Sequence, residues 1–151
     1  MKPVLIGRLA FWKNETARKR ILLLKGSPHF LGLSLGVGIT LGILPGTGAI
    51  IAGLLSPLLG LNLPLMVSGA LLTNPLTVPL VYGASYWIGA HLLKIPPSVQ
   101  NHWAQILLKT LAGNLVLALA MGLIGYSLLA GSLVAFRAVR QWRRRNREMS
   151  K

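Results

Sequence analysis

The sequence predicts an all-α, polytopic membrane protein that contains broken or re-entrant helices. Hydrophobic residues make up 53% of the 151 residues and charged residues 12%, whereas a soluble domain carries about 25% charged residues. Within residues 28–136 the charged side chains are Lys94 and Lys109. The hydrophobic residues form three long runs, at 31–61, 63–93 and 106–136. A soluble protein with a very apolar core is the alternative, and runs of this length disfavour it.

The first 27 residues predict one or two short amphipathic helices that lie in the membrane interface. Apolar side chains, Trp12 among them, are interspersed with cations, a pattern typical of helices that lie flat on a bilayer. We expect Trp12 at head-group level and Asn14 as the cap of the helix that follows it. The predicted organisation is therefore an interfacial segment at 1–27, a membrane domain at 28–136 and a basic cytoplasmic tail at 137–151.

The formal net charge of +14 comes from the two ends of the chain. Seven lysines and arginines lie in residues 2–25 and seven in residues 137–151. Cations that flank apolar runs follow the positive-inside rule, which predicts that both termini are cytoplasmic. Each such cation contributes about 1 kcal/mol of attraction to an anionic leaflet. We therefore expect the bilayer as partner, with anionic lipids at the basic ends, and no nucleic acid.

The first two apolar runs are each interrupted by a polar motif that contains proline. The motifs are Leu44-Pro45-Gly46-Thr47-Gly48 and Thr73-Asn74-Pro75-Leu76-Thr77-Val78-Pro79. Each uninterrupted half has about 14 residues and a helical length of about 21 Å, which is short of the roughly 30 Å hydrocarbon core. Broken helices at this depth occur where protein or a water-filled cavity covers the freed backbone, and transporters build binding sites there.

The basic ends constrain the number of crossings, because two cytoplasmic termini require an even number. We predict that 31–61 is a re-entrant hairpin turning at Pro45–Gly48, that 63–93 crosses outward, and that 106–136, which has no proline, returns. The nearly uncharged loop 94–105 then lies on the non-cytoplasmic side. Two alternatives stay open: the first run crosses and the second is re-entrant from outside, or all three runs are hairpins.

The Asn74-Pro75 pair predicts a helix that starts within the membrane, because Asn is a strong N-cap and Pro is favoured at the first helical position. Gly46-Thr47-Gly48 would open a second half-helix in the same way. Two helix starts facing one cavity would suit an anion such as a phosphate or carboxylate. The predicted substrate-binding residues are Pro45, Gly46, Thr47, Gly48, Thr73, Asn74, Pro75 and Thr77. The structural alternative is that these groups satisfy one another at a hairpin tip.

Small residues at four-residue spacing predict close helix packing. The pairs and ladders are Gly32/Gly36, Gly38/Gly42/Gly46, Ala118/Gly122 and Ser127/Gly131. Asn62-Leu63-Pro64, at the joint between the two broken runs, predicts a turn with a helix cap. The aromatic residues Tyr82, Tyr86 and Trp87 predict interfacial anchoring or packing.

The missing residue types weigh against an enzyme. The chain has no cysteine, and its acidic residues are Glu15 and Glu148, both in the basic ends. The apolar region therefore offers no carboxylate as proton relay, sodium ligand, general acid or general base. His29, His91 and His102 fall on separate segments. We expect no catalysis, no metal site and no cofactor.

The motifs resemble those of a bacterial membrane protein family, domain of unknown function 2062. The similar positions are Gly38, Gly42, Pro45 and Gly48, then Asn62 and Pro64, then Asn74-Pro75-Leu76-Thr77 with Pro79 and Tyr82, and then Gly89. They span about Pro28 to Leu93. Ala49 and Ile50 stand where the family usually has a polar residue. The resemblance implies a small bacterial inner-membrane protein without an established activity. Some relatives look fused to glycosyltransferase-like domains.

Two functions follow as hypotheses. The first is transport, or the handling of a lipid or anionic substrate, at the paired broken helices. Because three apolar runs are few for a pathway, we expect a homo-oligomer. The second is a membrane scaffold or adaptor without transport, whose basic tails bind anionic lipid or a partner envelope enzyme.

Overall fold

The computed structural model describes residues 19, 22–24, 26–44, 48–93 and 101–149, and only the backbone of Arg147. Within these ranges the chain forms five helices and no strand, so the all-α prediction is confirmed. The helices are α1 (Pro28–Ile43), α2 (Gly48–Leu59), α3 (Leu63–Ala70), α4 (Val78–Leu92) and α5 (His102–Met149). The predicted interfacial helices of segment 1–27 fall almost wholly outside the described residues.

The two predicted interruptions separate α1 from α2 and α3 from α4. α1 starts at Pro28 and ends at Ile43, and its N-cap is Ser27, whose Oγ accepts a hydrogen bond from Phe30 N at 3.2 Å. The next residue, Leu44, is extended, with φ −62° and ψ 141°. Leu44 precedes Pro45, and the proline ring disfavours helical backbone at the residue before it. Pro45, the residue that follows Leu44, therefore ends α1.

α1 and α2 form an antiparallel hairpin. A Cβ added to Gly48, the first residue of α2, would lie 2.5 Å from Leu41 O near the end of α1. Gly60 ends α2 in the left-handed region, with φ 67°, and Leu61 N donates to Ser56 O at 2.9 Å. This is a Schellman motif, in which the N–H two residues past the end of the helix donates to a carbonyl in its last turn. The chain then turns into α3.

α3 runs parallel to α1 and packs on it through glycines. A Cβ on Gly38 would collide with the Met66 backbone, and one on Gly42 would lie 2.5 Å from Ala70 O. Met66 and Ala70 are themselves buried, in a cluster with Ala52 and Leu61. Side chains larger than hydrogen at these two glycines would force the helices apart.

α5 is the long helix against which α1 and α4 both pack antiparallel. Along α1 the contacts are Gly32 with Tyr126, Gly36 with Gly122, and Thr40 with Ala118. Along α4, Val81 packs against the buried cluster of Ile39, Ile43 and Ala118. Farther along, Ser85 meets Gly113 and Asn114, and Gly89 meets Lys109. α1 and α4 therefore occupy successive stretches of α5. The end of α1 and the start of α4 meet near the middle of the apolar run 106–136.

The packing prediction is confirmed for the ladders on α1 and for Ala118/Gly122. It is wrong for Ser127/Gly131. No described atom lies within 4 Å of a Cβ built on Gly131, and Ser127 is exposed. This pair lies on the side of α5 that faces away from α1, so four-residue spacing did not by itself indicate a contact. Gly46 lies outside the described residues.

α5 is longer than the third predicted apolar run, 106–136. It begins four residues earlier, at His102, and Asn101 caps it, with Oδ1 accepting from Trp103 N at 3.1 Å. It also continues through the basic tail to Met149, because arginine is a good helix former and no proline or glycine follows Gly131. Near the start of this tail, Arg137 Nη2 donates to Gly26 O at 2.7 Å. We call this end of the molecule, where Gly26 meets Arg137, the basic end.

By length and composition, α5 is the described helix that could cross a membrane, over His102–Asn146. In its most apolar window 22% of the residues are buried, whereas the core helix of a soluble protein would be mostly buried. α1 and α2 are apolar but too short to cross alone.

Replacing Gly38 with Ala tests the close packing of α1 on α3. We expect the free energy of unfolding to fall by about 1–3 kcal/mol, because the added methyl group overpacks a backbone contact. The matched control is Gly53→Ala in α2, where no described atom lies within 4 Å of the new Cβ. Since alanine favours helix, this control should gain up to about 1 kcal/mol. Unfolding in detergent, followed by circular dichroism, measures both. Equal effects would contradict the packing.

Candidate functional site

A cavity of about 280 Å³ lies where the two interruptions meet. Its wall comes from the end of α1, the start of α2, the end of α3 and the start of α4. The lining residues are Gly42, Leu44, Gly48, Ala49, Ile50, Ala70, Leu71, Thr73, Val78 and Tyr82. The side-chain hydroxyls in this wall belong to Thr73 and Tyr82. The first residues of α2 and α4, Gly48 and Val78, both reach the cavity, so two helix starts lie on one space.

The structure divides the eight predicted site residues into three groups. Gly48 and Thr73 line the cavity. Asn74, Pro75 and Thr77 are absent from its wall and belong to the turn beside it. The remaining predicted residues, Pro45, Gly46 and Thr47, lie outside the described residues. Tyr82 is a wall residue that sequence reasoning assigned to packing or anchoring.

The Asn74 and Thr77 side chains bind their own turn. Asn74 Oδ1 accepts from Leu76 N at 2.9 Å and from Thr77 N at 3.1 Å. Thr77 Oγ1 accepts from Asn74 N at 2.9 Å and lies 3.0 Å from Leu72 O, to which it can donate. These bonds are the mutual satisfaction expected of the structural alternative. Both side chains therefore shape the tip of the α3–α4 connection.

The predicted helix start at Pro75 is wrong by three residues. α4 begins at Val78, and its N-cap, Thr77, makes no side-chain capping bond among the described residues. Asn74 instead caps an isolated turn, in which Thr77 N and Val78 N both donate to Asn74 O at 2.9 Å. Local side-chain bonds of this kind compete with helix formation, and they delay the helix until the turn is complete.

A second, apolar groove of about 340 Å³ lies on the other side of this turn. It runs between α1, α4 and α5. Its lining residues are Ile39, Ile43, Leu72, Thr73, Thr77, Leu80, Val81, Ala84, Leu117 and Met121. Thr73 lines both spaces. A largely apolar groove thus adjoins the cavity across one residue.

Asn62 closes the α1–α2 hairpin, and the prediction that it caps a helix is confirmed. Its side chain is fully buried, and Oδ1 accepts from Leu65 N at 3.2 Å. Two further bonds were not evident from the sequence. Asn62 N donates to Ser34 Oγ at 2.9 Å, and Nδ2 donates to Leu23 O at 2.7 Å. Asn62 thus ties α3 to α1 and to the segment that precedes α1.

Sequence reasoning missed a buried polar pair between α4 and α5. Ser85 and Asn114 are both 0% exposed, and the Ser85 hydroxyl lies within hydrogen-bond distance of Asn114 Oδ1 and of Val81 O. Asn114 Nδ2 has no partner among the described residues. The available signal was an amide side chain inside the apolar run 106–136, since polar side chains in such runs commonly bind a neighbouring helix.

The histidines take part in separate local contacts. His29 Nδ1 lies 2.8 Å from the Tyr126 hydroxyl, and His91 Nδ1 lies 2.8 Å from Trp87 O. Within the described ranges, no group of three potential metal-binding side chains comes together.

A comparison with protein families gives a match over residues 15–148 to the family described as an uncharacterized protein conserved in bacteria, DUF2062. The chain belongs to this family. The resemblance of the motifs between Pro28 and Leu93 is thereby confirmed, and the DUF2062 match extends through α5. No curated protein and no solved structure matches the chain. DUF2062 membership identifies the chain as one of an uncharacterised bacterial family and assigns no activity to the cavity.

Asn62→Ala tests the closure of the hairpin. We expect a loss of about 2–4 kcal/mol in the free energy of unfolding. The cap contributes about 1 kcal/mol, and the Leu23 carbonyl and the Leu65 amide, both in part-buried bonds, lose their partner. The control is Asn101→Ala, which removes an exposed cap of α5 and should cost about 1 kcal/mol. Chemical unfolding in detergent measures both variants. A loss at Asn62 no larger than that at Asn101 would contradict the bridging role.

Proposed function

We propose that this chain is a polytopic protein of the bacterial inner membrane, and that its cavity accepts the head group of an anionic amphiphile. The observation that carries the proposal is the meeting of the two interruptions at one cavity, level with the middle of the apolar run of α5. A lipid or another amphiphile that crosses a bilayer needs a place for its polar group at this depth.

The proposed topology has three parts. The α1–α2 hairpin enters from the basic end and returns to it, which is supported by the bond between Asn62 and Ser34 near the hairpin's open end. α3 and α4 together cross to the opposite face, and α5 crosses back. Both basic termini then lie in the cytoplasm, in agreement with the positive-inside rule.

The outward side chains support a lipid environment. Large apolar residues on α2, α4 and α5 are more than half exposed, among them Leu54 at 66%, Leu80 at 75% and Leu123 at 66%. In water such a surface would drive aggregation, whereas hydrocarbon solvates it.

The chemistry of the two spaces supports an amphiphile. The cavity offers the Thr73 and Tyr82 hydroxyls and the first turn of α2, whose N–H groups have no partner within the helix. The groove on the other side of Thr73 is almost wholly apolar and suits an acyl chain. No acidic residue lies between Glu15 and Glu148, so an anionic head group would meet no carboxylate within the membrane domain.

Cysteine accessibility tests the topology. The chain has no native cysteine, so single cysteines can replace Leu59, which is 51% exposed at the end of α2, and Leu92, which is 57% exposed at the end of α4. In intact cells a membrane-impermeant maleimide should label Leu92→Cys and spare Leu59→Cys, and in inside-out vesicles the pattern should reverse. Labelling of Leu59→Cys in intact cells would mean that the first run crosses.

Lipid exchange between leaflets tests the cavity. Proteoliposomes with the intact chain should move a fluorescent phosphatidylglycerol between leaflets faster than protein-free liposomes, as measured by dithionite quenching. Ala49→Leu, which fills the cavity, and Thr73→Val, which removes its hydroxyl, should each slow this movement at least about tenfold, or about 1.4 kcal/mol. The control Gly53→Ala lies one turn away and should be unchanged. Wild-type rates equal to those of empty liposomes would contradict the proposal.

A further inference from the structure

α5 continues for 13 residues beyond the last apolar run, from Arg137 to Met149. We call this part the C-terminal extension. It carries three large apolar side chains in the open: Val139 is 50% exposed, Trp142 63% and Met149 74%. Their spacing of three and then seven residues places them on one face of the helix, as in the seam of a coiled coil. None of the three residues of this apolar stripe belongs to the buried hydrophobic clusters of the described residues.

The rest of the C-terminal extension is strongly basic. Arg140, Arg143, Arg144 and Arg145 are exposed, while Arg137 is held by Gly26 O. Glu148 is the one acidic residue in this part of the sequence. The positive-inside rule accounts for the arginines. It does not account for a tryptophan, a valine and a methionine aligned on one exposed face.

The bilayer is a poor occupant for this stripe. With α5 crossing as proposed above, an unbroken helix carries Trp142 roughly 9 Å and Met149 roughly 20 Å beyond Phe136, whereas the head-group layer is only about 6 Å deep. A sharp bend would bring the stripe back to the surface. Such bends occur at proline, at glycine–serine pairs or at bulges, and the sequence has neither proline nor glycine after Gly131.

Charge argues against two other occupants. A second copy packed in parallel would bring its own arginines against Arg143 and Arg145, which flank the stripe, and like charges there oppose pairing. The chain's own first 27 residues carry seven lysines and arginines and one acid, so they have the same sign. The complementary surface is acidic, with apolar residues at matching intervals.

We propose that the C-terminal extension binds an acidic amphipathic helix of a partner protein, outside the bilayer. The stripe of Val139, Trp142 and Met149 packs against the apolar face of that helix, and the arginines pair with its carboxylates. The positive charge of the arginines favours an acidic partner and makes binding weaken as salt is raised. Trp142 supplies most of the buried area. This site is separate from the cavity and does not depend on the cavity being functional.

The test uses the full chain in nanodiscs of phosphatidylcholine. The probe is a fluorescent four-heptad helical peptide with leucine at its seam positions and glutamate beside them, followed by anisotropy. We expect binding that weakens as salt is raised. Trp142→Ala should weaken it at least about tenfold. Trp103→Ala is the matched control, because Trp103 is 73% exposed at the opposite end of the same helix, and it should bind as wild type does.

Three results would overturn the proposal. The first is equal binding of Trp142→Ala and wild type. The second is equal binding of a peptide in which lysine replaces every glutamate. The third concerns anionic nanodiscs without peptide. A blue shift in emission there that Trp142→Ala abolishes would place the stripe on lipid. Both tryptophans are exposed, so each variant should keep the wild-type unfolding transition, and circular dichroism checks this.

Discussion

The fold depends on one bridge, the hydrogen bonding of Asn62. A chain that leaves Pro28 along α1 and returns along α2 must partner the backbone groups at the open end of the hairpin, and buried groups left unpartnered are costly. The backbone N–H of Asn62 donates to Ser34 Oγ. Its side-chain Oδ1 accepts from Leu65 N, and its side-chain Nδ2 donates to Leu23 O. The bridge fixes where α3 starts, and the Asn74–Thr77 turn fixes where α4 begins.

The second constraint is the distance between helix axes. Glycines on α1, α4 and α5 let backbone meet backbone, so α5 can hold α1 and α4 one after the other along its length. The cavity follows from this arrangement. The short helices meet near the middle of α5, and the cavity lies between the ends of α1 and α3 and the starts of α2 and α4.

Local signals in the sequence predicted much of this fold. Pro45 predicted the end of α1, and the glycine ladders of α1 predicted its close contacts. Long-range partners were not predictable, because no periodicity relates Asn62 to Ser34, or Ser85 to Asn114. The start of α4 was misplaced at Pro75 since Thr77 bonds back to its own turn, a competition that residue preferences do not capture. For the candidate site, Gly48 and Thr73 were found from motifs, whereas Tyr82 is placed by tertiary packing alone.

A distance measurement in lipid tests the central claim, that α2 brings the chain back to the basic end. One variant carries spin labels on cysteines at Leu59 and Phe136, and a second carries them at Leu92 and Phe136. Pulsed electron paramagnetic resonance in nanodiscs measures the distance between the two labels of each pair. Measured along the axis of α5, Leu92 lies about 30 residues, or roughly 45 Å, from Phe136. Leu59 should lie within roughly 25 Å of Phe136. Equal distances for the two pairs would contradict the hairpin and the cavity that depends on it.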